Sequence, residues 1–431
     1  MENSKLKKYL SNDEVFKAIN KHFITLKDEE VERINVYLQQ VIETLIERMK
    51  MKDSLFKKVY SKIIFCGSFY KGTKVEKPNE FDLNIILNLP MKYCYVNFYS
   101  TMPSFVQINV DHPLMYCIPK YENLTTNEKR SFEKLISHGN LNPNKFRHWI
   151  EGVIDKVIYE LPKPNKLLIE RGFYSYEVNI KIKKSGPAFT IILNLPCNIE
   201  EIHIDLAPAL VFNIYMIEKY TTRFDELKNC RNKEWFAIPV PITNTNYCGG
   251  IDDHWRLSFS LQENEILRKC GSVKPVIRQM KKLRNVQNWK CIASYYIETL
   301  FLHKYKELDD LHTIPLTLFF FIMLKELYHA CKQHEIKYFW NEKYNLLGKI
   351  SEVEMSNITY RLNNIIKYTE KYIMKDSFIL AKYILYPIEL QVLQEKLNST
   401  IENENEENAN SIAVYLDFAS QLINLLKAVF R

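Results

Sequence analysis

The stretch that most constrains this chain is Phe65–Pro90, FCGSFYKGTKVEKPNEFDLNIILNLP. A short apolar run, Lys62–Cys66, meets Gly67 and Ser68, and twelve residues after Ser68 the carboxylates Glu80 and Asp82 open a second apolar run. Alternate side chains of a strand point to opposite faces. Glu80, Asp82 and Asn84 therefore share one face, while Leu83, Ile85 and Leu87 anchor the other. Two hard carboxylates on one rigid strand suit Mg²⁺, which takes a few carboxylates together with waters and phosphate oxygens. A bare E-x-D also describes the wet edge of an amphipathic strand, but the Gly-Ser ahead of it changes the reading. Glycine lets the backbone turn closely around a bound group, and Ser68 adds a hydroxyl and an amide N–H. Such a turn followed by a helix is a phosphate cradle. A polyphosphate cradle beside a metal site is how nucleotidyl transfer is assembled, by positioning and charge neutralisation.

Two metals call for a third carboxylate. IHIDLAPALVF places Asp205 between Ile204 and Leu206 in an apolar strand, where a lone charge is costly unless it is paired or metal-bound. The Gly-Ser turn, the E-x-D and this later strand Asp together form a nucleotidyltransferase constellation.

At 431 residues the chain exceeds a typical domain of roughly 100–200 residues, so two lobes are expected. Val31, Ile34, Leu38, Val41, Leu45 and Met49 recur at helical spacing, which predicts one long amphipathic helix over Lys27–Met51. Strands are expected around Asp82–Leu89, Tyr176–Ile182, Phe189–Leu195 and His203–Phe212, with KKSGP as a hairpin turn. Beyond Asp252 helical patterns dominate: Leu257–Leu267, Val276–Asn285, Ser294–His303, Leu316–Lys332 and Ile358–Lys371. This divides the chain into a mixed core lobe, residues 1–248, and a helical lobe, 249–431, joined near NTNYCGGIDD. Asn398–Ser411 is polar and acidic and reads as a mobile loop. An apolar helix, Ile412–Phe430, follows it.

Lys and Arg exceed Asp and Glu by 59 to 51, a net +8, which suits a nucleic-acid partner if the charge is clustered. Clustering is visible in RKCGSVKPVIRQMKKLRN, from Arg268 to Arg284. The longest greasy run, Ile314–Leu324, is far short of the ~20 residues of a membrane span. The first residues show no apolar leader, and nine cysteines without C-x-x-C spacing point to a reducing compartment. A cytoplasmic protein is expected.

GSFYKGTKVEKPNEFDLNIIL resembles the active-site segment of cyclic GMP–AMP synthase and the animal cGAS-like receptors, in the Gly-Ser turn, its spacing to E-x-D and the P-N-E-F-D context. The similarity continues through KKSGPAFTIIL, EWFAIPVP, HWRLSFSLQENEIL, ASYYIETLFLH and YFWNEKYNLL, in matching order over roughly residues 20–370. W-R-L-S-F-S is more discriminating than the acidic triad, which many polymerase-type enzymes share. The resemblance implies an α+β bilobal nucleotidyltransferase fold with a mixed sheet, a long spine helix and a helical lobe. By it, Glu80, Asp82 and Asp205 would ligate two Mg²⁺ or Mn²⁺ ions, and Gly67 and Ser68 would hold the donor triphosphate. Arg256 would contact the acceptor nucleotide with Ser258 and Ser260 nearby. Ser294 and Tyr295 would sit at the nucleotide, Tyr295 stacking on a base. The family's phosphate-binding Lys on the preceding helix is best matched by Arg278, with Lys281 left open. ATP and GTP would be joined into a cyclic dinucleotide for innate immune signalling under activation by double-stranded nucleic acid.

The chain departs from vertebrate cyclic GMP–AMP synthase at the zinc insertion of one His and three Cys. RKCGSVKP holds Cys270 alone, so no tetrahedral zinc thumb is expected. Insect-type cGAS-like receptors also lack it and some sense double-stranded RNA, which makes RNA the favoured activator here, with dimerisation on it as a further expectation. Arg268, Lys269, Lys274, Lys281 and Lys282 are the expected duplex contacts, gripping phosphates across an A-form helix. Two other readings remain at this stage: a catalytically silent duplex-binding scaffold of the same fold, and a synthetase of linear oligonucleotides.

Overall fold

The computed structural model describes residues 2–399, apart from 27, 101, 162, 164, 172–173, 186–187, 195–200, 241–252, 270–272 and 310–313. The expected seam at 248/249, the tip of the KKSGP turn, Cys270 and everything from residue 400 onward, including the expected terminal helix, lie outside the described residues.

The spine helix α1, Asp28–Lys52, forms where its periodicity predicts. Ile34, Leu38, Val41, Leu45 and Met49 are buried, and Asp28, Glu29 and Glu30 suit the positive end of its dipole. It lies against one face of a large sheet, where Tyr176 donates its hydroxyl to Gln40 at 2.7 Å and stacks edge-on with Tyr37.

The strands that matter for the site are β1 (Tyr60–Cys66), β2 (Glu80–Leu87), β3 (Phe105–Asn109), β4 (Lys166–Arg171), β5 (Tyr174–Ser185), β6 (Ala188–Asn194), β7 (Glu201–Asn213), β8 (Glu234–Ile238) and β9 (His254–Ser258). β1 pairs antiparallel with β2, and β2 runs parallel to β7. β7 continues through antiparallel β6, β5 and β4, while its C-terminal part pairs with β8 and leads on to β9 and β3. The parallel β2–β7 pair is the hub. Ile204 and Leu206 are fully buried on β7, as are Leu83, Ile85 and Leu87 on β2.

One helix is relocated. The pattern Leu257–Leu267 predicts a helix throughout, but His254–Ser258 is strand β9 and the helix α3 begins at Ser260 and runs to Lys269. The reason is period two: Trp255 and Leu257 are buried while Arg256 between them is exposed. The lobe then continues with α4 (Val273–Val286), α5 (Ser294–Asp309), α6 (Leu316–Gln333) and α7 (Glu352–Tyr372). Ile314–Leu324 falls largely in α6, and no described helix is long and apolar enough to cross a membrane.

Leu45 is completely buried between the spine helix and the sheet. Leu45→Ala should cost roughly 2–5 kcal/mol of stability through lost transfer energy and the cavity left behind, read as a lower urea midpoint with an unchanged m-value.

Candidate active site

The chain leaves β1 at Cys66 and turns into a five-residue helix, α2 (Gly67–Lys71), that ends on Gly72. Gly67 has φ +72°, and a Cβ built on it would lie 1.7 Å from an Asp82 carboxylate oxygen. The glycine is needed both for its backbone conformation and because Asp82 occupies the space a side chain would take. The Gly-Ser turn and the E-x-D strand are therefore one construction, fixed by the pairing of Cys66 with Asp82.

Asp82 also stands in register with Asp205 on β7, and Glu80 with His203. Loss of water where its carboxyl group packs, followed by the Asp205 and Glu80 charges, pushes the Asp82 pKa up. Asp205 accepts a hydrogen bond from the Thr190 hydroxyl at 2.5 Å, and Glu80 pairs with Lys74 at 2.5 Å. Among the described residues no group of three His, Cys, Asp or Glu closes around a metal position. Asp82 and Asp205 nonetheless fit hard-cation ligation as donors, since two adjacent carboxylates repel each other without positive charge beside them. Glu80 would complete that set only on leaving Lys74.

A cleft of about 850 Å³ lies beside the turn, lined from the core lobe by Ser68, Thr73, Lys74 and Glu80, and from the helical lobe by Lys281, Arg284 and Ser294. The structure thus brings Ser68, Glu80 and Ser294 to one cavity. Arg256 is exposed on β9, its register partner on β8 being Ile238. Ser260 stands 3.7 Å from the Cys66 thiol, and Ser258 pairs with Phe236. Tyr295 donates its hydroxyl to Glu263 at 2.7 Å, and its ring centroid is 6.3 Å from that of Tyr338. Arg278 is half-buried, donates to the Gly72 carbonyl at 3.0 Å and is not a lining residue of the cleft.

Two of the expected duplex contacts are corrected. Lys281 is 3% exposed and donates to Glu298 at 2.6 Å and to the Thr73 carbonyl and hydroxyl at 3.1 and 3.0 Å. Lys282 is 2% exposed, donates to Glu389 at 2.8 Å and has its ammonium over the Tyr386 ring. Neither can reach a duplex, because a buried lysine stays charged only with partners of this kind. Arg268 and Lys269 are exposed and Lys274 is half-buried.

Sequence reading also missed what holds the turn. Lys71, the last residue of the Gly67–Lys71 helix, is buried and paired with Glu263 at 2.8 Å and with Glu298 at 3.2 Å. Glu298 on α5 additionally accepts from Lys281 and from the Thr73 hydroxyl. Burial alone would raise the Glu298 carboxyl pKa, but the Lys71 and Lys281 ammonium groups overcome it and bring it down to about 2. No motif marks this network, since its members are scattered over more than two hundred residues. The available signal is a Glu in the otherwise apolar helix SYYIETLFL.

Because the folded Glu298 pKa lies below its ordinary value of 4.5, its contribution is fully present above pH 4.5 and is lost as pH falls toward 2. Glu298→Gln leaves two buried lysines short of a carboxylate and should destabilise the protein by roughly 3–5 kcal/mol at neutral pH. Urea unfolding across pH 7 to 2 should also show a flatter acid limb for the variant.

Residues 69–269 match the model of the Mab-21 protein nucleotidyltransferase domain, and residues 272–364 match that of the Mab-21 protein HhH/H2TH-like domain. A cyclic GMP-AMP synthase-like receptor of Trichogramma pretiosum is 34% identical over 93% of this chain and 81% of its own length. One from Microplitis demolitor is 37% identical over 90% of this chain and 71% of its own. A third, from Ctenocephalides felis, is 31% identical over 88% of both. The glycine that admits Asp82, the paired strand carboxylates and the two-lobed cleft are thus found in a chain that belongs to the cyclic GMP-AMP synthase-like receptor family and is a nucleotidyltransferase.

Proposed function

We propose that this enzyme joins ATP and GTP into a cyclic dinucleotide messenger in innate immune signalling, and that a double-stranded nucleic acid, RNA rather than DNA, switches it on. The observation that carries the chemistry is the interlock of Gly67 with Asp82, and of Asp82 with Asp205 in register on the neighbouring strand. The names of the relatives support the product class.

On this reading Asp82 and Asp205 hold two Mg²⁺ or Mn²⁺ ions, with Glu80 added when Lys74 lets it go. When bound, such ions lower the pKa of an attacking ribose hydroxyl and neutralise charge on the transferring phosphoryl group. Ser68 orients the donor polyphosphate at the mouth of the Gly67 turn. Thr190 fixes one Asp205 oxygen, which leaves the other for a cation. Arg256 on its exposed edge, with Ser258 and Ser260, receives the acceptor, and Tyr295 offers a ring held by its hydroxyl for stacking on a base. Pyrophosphate leaves after each of two transfers, the second closing the ring. The Lys74–Glu80 pair supports an enzyme that is slow until rearranged.

Arg268, Lys269 and Lys274 are the duplex contacts that remain of the basic run. Phosphate-based recognition of this kind weakens steeply with salt, and an A-form duplex is read by shape.

The test is incubation of the full chain with labelled ATP and GTP, Mg²⁺ or Mn²⁺, and double-stranded RNA or DNA. A phosphatase-resistant product should form with RNA. Its absence with every activator would sink the cyclic-dinucleotide reading, and a ladder of linear products would replace it with oligonucleotide synthesis. Gly67→Ala and Asp82→Asn should each lower the rate at least a hundredfold, the first by displacing Asp82 and the second by removing its charge. A wild-type rate in Gly67→Ala would detach the turn from the carboxylate.

A further inference from the structure

The residues that line the cleft include several cations, and most are already committed. Lys74 is paired with Glu80 and Lys282 with Glu389. Lys281 has spent its ammonium protons: three N–H donors meet three acceptors, the Thr73 carbonyl, the Thr73 hydroxyl and Glu298. It serves as a post between the turn and α5 and has no donor left for a ligand. Lys77 has a partner as well.

Arg284 differs. It sits in the last turn of α4, half-buried, and lines the cleft with Ser68, Glu80 and Ser294. Among the described residues it forms no ion pair, and what holds it are neutral oxygens. Nε and one Nη donate to the Asn285 side-chain oxygen at 3.0 and 2.7 Å, which fixes the plane of the guanidinium. The other Nη donates to the Ser294 hydroxyl at 2.8 Å and toward the Ile292 carbonyl at 3.4 Å. Four of its five N–H donors are thereby used for orientation, and one remains. Ser294 accepts from Arg284, so its own hydroxyl proton is also free to donate, with no acceptor for it among the described residues.

A half-buried cation hydrogen-bonded only to neutral groups carries its desolvation cost with no direct ion pair, offset only through space by Glu76 and Glu80 on the same cleft. A bound anion would supply the direct partner. We propose that Arg284, acting with Ser294, is the cation that reads the polyphosphate of the donor nucleotide in this cleft, the role that Lys281 cannot fill. The inference deepens the nucleotidyltransferase reading of the same site and rests on it for the identity of the anion. A planar guanidinium suits this task, because four N–H groups fix its orientation while the fifth, beside the Ser294 hydroxyl, is left to donate to a phosphate oxygen.

The experiment is equilibrium binding to the full chain in Ca²⁺, comparing α,β-methylene ATP with adenosine. Arg284→Gln should weaken the analogue about ten- to a hundredfold, the range expected for a charge-assisted hydrogen bond, and leave adenosine binding as it is. Arg284→Lys, which keeps the charge but not the planar group that Asn285 and Ser294 orient, should recover only part of the loss, and a thermal midpoint close to wild type would confirm that both variants fold. Unchanged analogue affinity in Arg284→Gln overturns the inference. So does an equal loss for analogue and adenosine, which would mean collapse of the cleft, and so does loss of duplex RNA binding with analogue binding intact. Turnover of ATP and GTP is followed in parallel. Arg284-dependent recognition of the polyphosphate without any product would support this assignment and defeat the proposed reaction alone.

Discussion

Glu298 is one carboxylate, buried in the helical lobe, with a lysine from each lobe held against it. Lys71 comes from the turn that follows β1, Lys281 from α4, and the Thr73 hydroxyl closes the group at 2.7 Å. Removing any one charged member leaves the others buried with unbalanced charge, a loss of several kcal/mol. This makes the group a lock on relative position. The Gly67–Lys71 segment is too short to hold its own conformation as an isolated helix, and it is pinned at its C-terminal end by this pairing. Its N-terminal end is pinned by the contact of Gly67 with Asp82. The geometry of the site is therefore set by two anchors at opposite ends of five residues, one steric, the other ionic.

The parallel pairing of β2 with β7 does comparable work for the carboxylates. Residues far apart in sequence, Asp82 and Asp205, become neighbours because their strands share a register, and the apolar residues on the reverse face hold that register. A slip of either strand by one residue would turn its carboxylate toward the core. Burial of Phe81, Leu83, Ile204 and Leu206 thus enforces the carboxylate face as well as stability.

Much of this was legible in the sequence, because strand alternation and helical periodicity are local. The spine helix, the E-x-D strand and the Asp205 strand fall within a few residues of where their patterns place them, and the Gly-Ser pair forms a turn that packs against Asp82. What failed was whatever depends on a distant partner. RKCGSVKPVIRQMKKLRN looks like a uniformly basic face, yet Lys281 and Lys282 point inward. Their acceptors, Glu298 and Glu389, lie 17 and 107 residues away, and no spacing rule connects them. Leu257–Phe259 was absorbed into a helix because its two apolar residues followed by an amphipathic run satisfy both periods. Only the exposure of Arg256 between Trp255 and Leu257 distinguishes them.

The same accounting separates structural cations from functional ones. Lys and Arg on α4 are equivalent in the sequence, and their roles are assigned by what they meet. Lys282 meets Glu389, Lys281 meets Glu298, and each is neutralised inside the protein. Arg278 meets a backbone carbonyl, which fastens α4 to the turn at Gly72. Arg284 hydrogen-bonds only neutral oxygens at the cleft wall, with Glu76 and Glu80 acting on it through space, so it is a cation that α4 leaves without a direct carboxylate partner there. A nucleotidyltransferase must neutralise a polyphosphate that arrives and must then release pyrophosphate. A cation already held by a protein carboxylate contributes little to either step, because binding the phosphate would mean breaking the existing pair. An oriented arginine without a carboxylate partner breaks no pair on binding and recovers none on release, so its affinity for the anion is used in full. The ionic lock around Glu298 and the open charge of Arg284 are thus complementary: the first fixes the wall of the cleft, and the second makes that wall selective for an anion.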